Sequence, residues 1–206
     1  MEKPLVTITW LKSHINDPDL VLLDASTNFE PSKTIVGAIH FDLKNVFSKK
    51  EATLPNTFPD TIAFEEAART LGINNDSKVV IFDSQGVFNS PRVWWMLQTM
   101  GLINVAVLDG GLPKWKEANL PLGGSRASDL IHGNFTAQLN PKAIYYYDDI
   151  VSNVETAAFI LVDARARDRF LGIAPEPRKH IQSGAIENAI NLPYTNVLEN
   201  GTFKSI

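Results

Sequence analysis

Hydrophobic residues along this chain gather in short apolar runs separated by amphipathic stretches, the alternation expected when strands and helices take turns. The clearest run is 79–82, Val-Val-Ile-Phe, short and β-branched enough for a strand buried on both faces. It stops at Asp83. A polar, glycine-containing loop covers 83–89, after which Ser90 is placed to cap a helix whose first position is Pro91, where a missing N–H costs nothing. Val93, Leu97 and Met100 recur at helical spacing, and Gly101 supplies the stop. Residues 105–108 predict a second strand and Asp109-Gly110-Gly111 its turn. The crossover between the two strands is expected to be right-handed.

Around this unit the pattern continues on both sides. An extended piece at 5–8 precedes a helix capped by Thr9 and running to Ile15, with Trp10 directed into the core. Residues 20–25 and 38–41 predict buried strands, and 44–60 a loop. Asp60 or Thr61 caps an amphipathic helix in which Phe64, Ala67, Ala68 and Leu71 share one face and Gly72 closes the end. From 121 to 141 the sequence is rich in Gly, Ser, Asn and Asp with little periodicity, which predicts a connection between domains. Tyr145-Tyr146-Tyr147 then opens the next element.

Beyond that connection the chain repeats its first half. Val21-Leu22-Leu23-Asp24-Ala25-Ser26 is echoed by Ile160-Leu161-Val162-Asp163-Ala164-Arg165, and Ala38-Ile39-His40 by Ala189-Ile190-Asn191. The offsets 160 − 21 = 139 and 189 − 38 = 151 differ by 12 residues, so the second copy carries an insertion between its first two strands. It falls within 165–188 and holds Arg165, Arg167, Arg169 and Arg178, with Pro175 and Pro177 stiffening the approach to Arg178. The division expected is a first domain at 1–124, a linker at 125–141 and the beginning of a second copy at 142–206. The fold class expected is α/β, a three-layer domain with a mainly parallel central sheet between helices, plus a partial second copy.

Composition narrows the partners. A formal net charge of -4 and a pI near 5.6, without a long run of Lys or Arg, argue against nucleic acid or an acidic membrane as partner. No apolar run approaches a membrane span and the first residues lack a leader pattern, so the cytoplasm is the expected compartment. With no cysteine there is neither a disulfide nor a thiolate metal site. The four histidines, 14, 40, 132 and 180, show no ligand spacing, and no metal or cofactor is expected.

The remaining chemistry sits in the loop after the central strand. Unpaired N–H groups at the start of the following helix make a cradle for an anion. Asp83 stands at the head of that loop, where an enzyme of this shape places its nucleophile, and a fixed carboxylate there repels an incoming anion. The loop therefore reads as an unused site. Bland roles are expected elsewhere: Trp94, Trp95 and Trp115 pack, Asp24 and Asp163 satisfy loop amides, and Arg92 pairs with a carboxylate.

Phe82-Asp83, the glycine-bearing loop, Ser90–Met96 (SPRVWWM) and 105–115 (VAVLDGGLPKW) together resemble the first, non-catalytic domain of the two-domain rhodanese family, the thiosulfate and 3-mercaptopyruvate sulfurtransferases. The resemblance covers nearly the whole chain. It implies that Asp83 occupies the position that a reactive cysteine holds in the second domain, and that Phe88 lines the cleft between domains. Arg169-Phe170-Leu171-Gly172 and Pro175-Glu176-Pro177-Arg178 resemble the family's RFRG…PEPR segment, whose first and last arginines hold the donor carboxylate, so Arg169 and Arg178 inherit that role. Leu171 replaces an arginine of the pattern, Ala185 a histidine, and Thr34 and Val36 interrupt the corresponding motif of the first copy.

The implied chemistry is a double displacement. A cysteine thiolate takes the outer sulfur of 3-mercaptopyruvate or thiosulfate, a small anionic donor, and passes it from a persulfide to cyanide, a small thiol or a thiol-bearing acceptor protein. The repeat offset places the cysteine loop at about position 234, past Ile206, so a fragment inactive by itself is expected. The competing expectation is a rhodanese-like binding or regulatory module without catalysis.

Overall fold

The computed structural model describes residues 1, 3–125, 130–177 and 181–205 and divides into two compact units, Met1–Pro141 and Lys142–Ile206. In the first unit five strands, β1 (Leu5–Val6), β2 (Leu20–Asp24), β3 (Ile39–His40), β4 (Lys78–Phe82) and β5 (Val105–Leu108), form one sheet in the order β1-β5-β4-β2-β3. Every pairing is parallel. Helices α1 (Ile8–His14), α2 (Thr61–Thr70), α3 (Ser90–Thr99) and α4 (Gly111–Glu117) supply the outer layers.

The pleat sorts the core into two halves. On β4, Val79 and Ile81 join the cluster containing Phe64, Ala68, Val93, Met96 and Leu97, while Val80 and Phe82 join Leu11, Leu112 and Trp115 on the other face. Both faces are covered, so the central strand can be apolar at consecutive positions. Each such side chain, fully buried, contributes about 1.5–3 kcal/mol.

Local signals set most element ends, with three corrections. Thr7, not Thr9, caps α1: its hydroxyl accepts from Trp10 N at 3.1 Å, and β1 stops at Val6. Ser90 is already helical, with Asn89 at the cap position, and its hydroxyl is drawn to Asp83 instead. Gly111 opens α4, a helix that the Asp-Gly-Gly signal hid behind a turn. Asp60 does cap α2, accepting from Ala63 N at 2.9 Å. Trp10 is half-buried and stacks on His14 at 4.1 Å.

Residues 130–140, low in periodicity, run as an extended strap along the first unit. Gly133 N donates to Arg69 O, Phe135 N to Ile73 O, Gln138 N to Met100 O and Asn140 N to Thr99 O, at 2.8–3.1 Å. Phe135 is buried against Phe64 with its ring edge-on. The strap is pinned by backbone bonds, by the side chains of Glu65, Arg69, Asn74 and Asn75, and by the ring of Phe135, which leave no helical or strand period for the sequence to show.

In the second unit α5 (Tyr147–Thr156) is followed by β6 (Val162–Asp163), α6 (Arg167–Phe170), β7 (Ile190–Asn191) and a hairpin of β8 (Leu198–Glu199) and β9 (Thr202–Phe203). The internal repeat survives at the level of register. Leu23 pairs with Ile39 and Asp24 with His40 in the first copy, and Val162 pairs with Ile190 and Asp163 with Asn191 in the second, all parallel. Among the described residues of this unit only Asn153 is buried; its side-chain amide clasps Phe159 N and O and closes the turn after α5.

Candidate functional site

Two constellations carry polar chemistry, one in each unit, and each grows from an aspartate at the end of a repeated strand or its neighbour. In the first unit β4 and β2 are adjacent, and their chain connections leave toward opposite edges of the sheet. The crevice at their carboxyl ends is where ligands of open parallel sheets bind. Its floor is the 83–89 loop. Asp83 is fully buried, and its carboxylate accepts from Gln85 N on one oxygen and from Phe88 N, Asn89 N, Ser90 N and the Ser90 hydroxyl on the other, at 2.8–2.9 Å.

The anion cradle expected at the start of α3 is therefore formed and filled. Its occupant is the chain's own carboxylate, a stronger reason for disuse than repulsion alone. The loop is further fastened by Ser84 N to the Ser26 hydroxyl and by the Asn89 amide to Ala25 O and the Thr27 hydroxyl. Beside it lies a polar cavity of about 170 Å³ lined by Ser26, Thr27, His40, Asp42, Asn56 and Asn89. A larger groove of about 680 Å³, floored by Trp115 and flanked by Lys12 and Asp17, opens near the amino ends of the strands. It gathers no convergent set of polar groups, so the crevice is the chemically furnished one.

In the second unit the same turn is built with a different partner. Asp24 Oδ1 accepts from Ser26 N and Asp163 Oδ1 from Arg165 N, at 2.8 and 2.9 Å. Where the Thr34 hydroxyl donates to the second oxygen of Asp24, the Arg165 guanidinium grips both oxygens of Asp163. Arg165 also donates through Nη1 to Glu176 Oε1 at 2.7 Å and through Nη2 to Gly184 O at 2.7 Å. Arg169 meets the same glutamate through Nε and Nη2. The result is a chain Asp163–Arg165–Glu176–Arg169 with two charges of each sign.

The hydrogen bond from Arg169, supported by Arg165, holds the Glu176 carboxyl below its ordinary value, and Arg165 does the same for Asp163. A carboxylate depressed in the folded state contributes stability above its unfolded pKa and loses it as pH falls through the folded one. The second unit is therefore expected to hold its structure through the ordinary carboxylate range and to loosen only as the pH falls below it. All four tyrosines, 145–147 and 194, lie in this unit, so the acid titration of their NMR signals reads it alone. Unchanged tyrosine signals down to pH 2 would contradict the coupling.

Sequence reasoning singled out four residues. Asp83 is where expected, at the head of the loop. Phe88 is half-exposed on the first unit, with its N–H on Asp83. Arg169 lies on α6 with its side chain 34% exposed. Arg178 lies outside the described residues. Glu176 and Arg165 organise the cluster; Arg165 stands among the arginines of the insertion with no role of its own in the sequence reading, and the signal available for Glu176 was its place between two prolines in a stretch of arginines. Arg92 is corrected as well: its Nη2 donates to Asn56 O rather than to a carboxylate, and its guanidinium lies over Trp95 at 5.8 Å.

The rhodanese-like domain family matches residues 7–118. Human 3-mercaptopyruvate sulfurtransferase is 37% identical over 221 residues, covering 98% of this chain and 73% of that protein. The mitochondrial thiosulfate/3-mercaptopyruvate sulfurtransferase 1 of Arabidopsis thaliana is 32% identical, and the match covers 96% of this chain but 60% of the relative. Among solved structures, the crystal structure of SseA, a 3-mercaptopyruvate sulfotransferase of Escherichia coli, superposes with a TM-score of 0.86 at 30% identity, covering 98% of this chain and 79% of that one. The chain thus spans roughly three fifths to three quarters of the length of the curated relatives it matches. Among the described residues no helix is long and apolar enough to cross a membrane.

Proposed function

The chain belongs to the rhodanese-like family, and from that premise we propose that it is the scaffold and donor-binding portion of a sulfurtransferase, acting on 3-mercaptopyruvate or thiosulfate. Residues 1–124 are assigned to the non-catalytic copy, 125–141 to the connection and 142–206 to the start of the donor-binding copy. The observation that supports it most is the insertion unique to the second copy, which carries Arg169 half-exposed on a short helix. A guanidinium there suits a small carboxylate or sulfur oxyanion.

In the proposed reaction Arg169 and Arg178 hold the donor carboxylate. A cysteine thiolate supplied from outside these 206 residues attacks the outer sulfur of the donor: with 3-mercaptopyruvate the sulfur–carbon bond breaks and the thiol proton ends on the methyl carbon of pyruvate, with thiosulfate the sulfur–sulfur bond breaks and sulfite leaves, and in both cases the enzyme keeps a persulfide. A thiol or cyanide then removes the outer sulfur. The chain itself contains no cysteine and the cradle at the start of α3 is filled by Asp83, so it carries no sulfur alone.

The test uses the purified chain. Given 3-mercaptopyruvate and cyanide, it is expected to form no thiocyanate or pyruvate above the buffer rate. Binding of 3-mercaptopyruvate, followed by NMR, is expected to weaken about tenfold in Arg169→Ala, the loss of one charge-assisted contact. Turnover by the unmodified chain, or equal binding by Arg169→Ala, overturns the proposal. For the first unit taken alone, the filled cradle favours a non-catalytic module.

A further inference from the structure

The second-unit cluster contains more acid than donor binding by arginines requires. A guanidinium has two edges able to take a carboxylate in parallel bonds: Nε with one Nη, and Nη1 with Nη2. Glu176 occupies the first edge of Arg169, with Nε to Oε1 at 3.2 Å and Nη2 to Oε2. Among the described residues nothing hydrogen-bonds Arg169 Nη1, so the Nη1–Nη2 edge is left to an incoming anion. Glu176 is not itself poised to swing away: its side chain is 4% exposed, its Oε1 is also held by Arg165, and prolines 175 and 177 flank it. Arg165 is in turn anchored on Asp163 and Gly184 O.

We infer that Glu176 is the positioning and charge-setting residue of the donor site: it aims the Nη1–Nη2 edge of Arg169 and cancels one arginine charge, which matches the site to a monoanionic carboxylate donor over dianionic thiosulfate. This rests on the reading that Arg169 holds the donor carboxylate. The orientation matters because a long side chain that must be ordered at each binding event loses rotamer entropy, which a preformed contact has already removed. The charge matters because Asp163 and Glu176 offset Arg165 and Arg169, so within this cluster an approaching anion meets directed donors rather than a bare excess of positive charge.

The experiment measures binding of 3-mercaptopyruvate and of thiosulfate to the full 206-residue chain and to Glu176→Gln, Glu176→Asp, Arg169→Ala and the double variant Arg169→Ala/Glu176→Gln. Glu176→Gln is expected to weaken 3-mercaptopyruvate about tenfold while thiosulfate binds as well or better, so that the ratio of the two affinities shifts by about that factor. Glu176→Asp, which keeps the charge but shortens the reach, is expected to weaken 3-mercaptopyruvate and leave thiosulfate unchanged. In the Arg169→Ala background, Glu176→Gln is expected to cost 3-mercaptopyruvate nothing further.

A measurement on the unmodified chain needs no variant to fold. The Arg169 Nε–H is expected to exchange with water at least tenfold more slowly than that of exposed Arg167. Equal exchange rates overturn the inference, as does a Glu176→Gln effect shared equally by both donors or persisting in the Arg169→Ala background. If Arg169→Ala alone leaves 3-mercaptopyruvate binding intact, the donor-site reading fails instead; if Arg169→Ala weakens it and Glu176→Gln does not, only the role of Glu176 falls.

Discussion

Asp83→Ala is expected to destabilise the first unit by about 4 kcal/mol and to lower its melting temperature by about 12 °C. The substitution removes the acceptor of five hydrogen bonds and leaves the N–H groups of Gln85, Phe88, Asn89 and Ser90 without that partner. A small cavity adds to the cost. Asp83→Asn separates the two effects. It keeps the shape and can turn its carbonyl to the three N–H groups and the hydroxyl, which leaves an NH2 against the Gln85 N–H alone, so it should recover much of the loss and remain about 2 kcal/mol below the parent. All four tryptophans, 10, 94, 95 and 115, lie in the first unit, so fluorescence melting reports it alone. A loss under about 1 kcal/mol in both variants would mean that the cradle does not depend on this carboxylate.

Gly111→Ala is expected to cost about as much, by a route that involves no charge. Gly111 has φ +53°, and a Cβ built on it would stand 2.3 Å from Gly86 O and 2.8 Å from Asp83 O. Both contacts are backbone atoms of the filled loop, and Leu112 N donates to the same Asp83 carbonyl. The loop cannot retreat without surrendering the bonds to the Asp83 carboxylate. Steric overlap and left-handed strain together come to about 3–4 kcal/mol. Gly37→Ala is the control: φ is +79° there, but nothing stands within 4 Å, so only the strain, about 1 kcal/mol, is expected. Equal melting temperatures for the two variants would remove the close approach as the cause.

Both substitutions bear on why the first unit keeps a well-formed cradle around its own carboxylate. A loop at the carboxyl end of a central strand needs its amides satisfied whether or not it binds a ligand. Here one side chain does that work internally. The same repeat unit, given Arg165 in place of Ser26 and the inserted stretch, gathers guanidinium groups instead.

The strands and their burial were legible from the sequence because periodicity reports burial directly: 79–82 could be apolar throughout only if both faces were covered, and the two clusters meeting on Val79–Phe82 cover them. The repeat was legible for the same reason, since Asp24 and Asp163 end strands that pair in the same register. Asp60 as cap and Gly72 and Gly101 as stops were local decisions, made within one turn of helix. Tertiary contact decided the rest. Ser90 left its capping role because a buried carboxylate competed for its hydroxyl, and 130–140 became a strap because carbonyls at Arg69, Ile73, Thr99 and Met100 were available to its amides. Glu176 gained its place between two arginines when the chain folded the insertion back on Asp163. Local pattern determines which segments become elements, since propensity and burial act over a few residues; which polar groups meet depends on distances that exist only after those elements have packed.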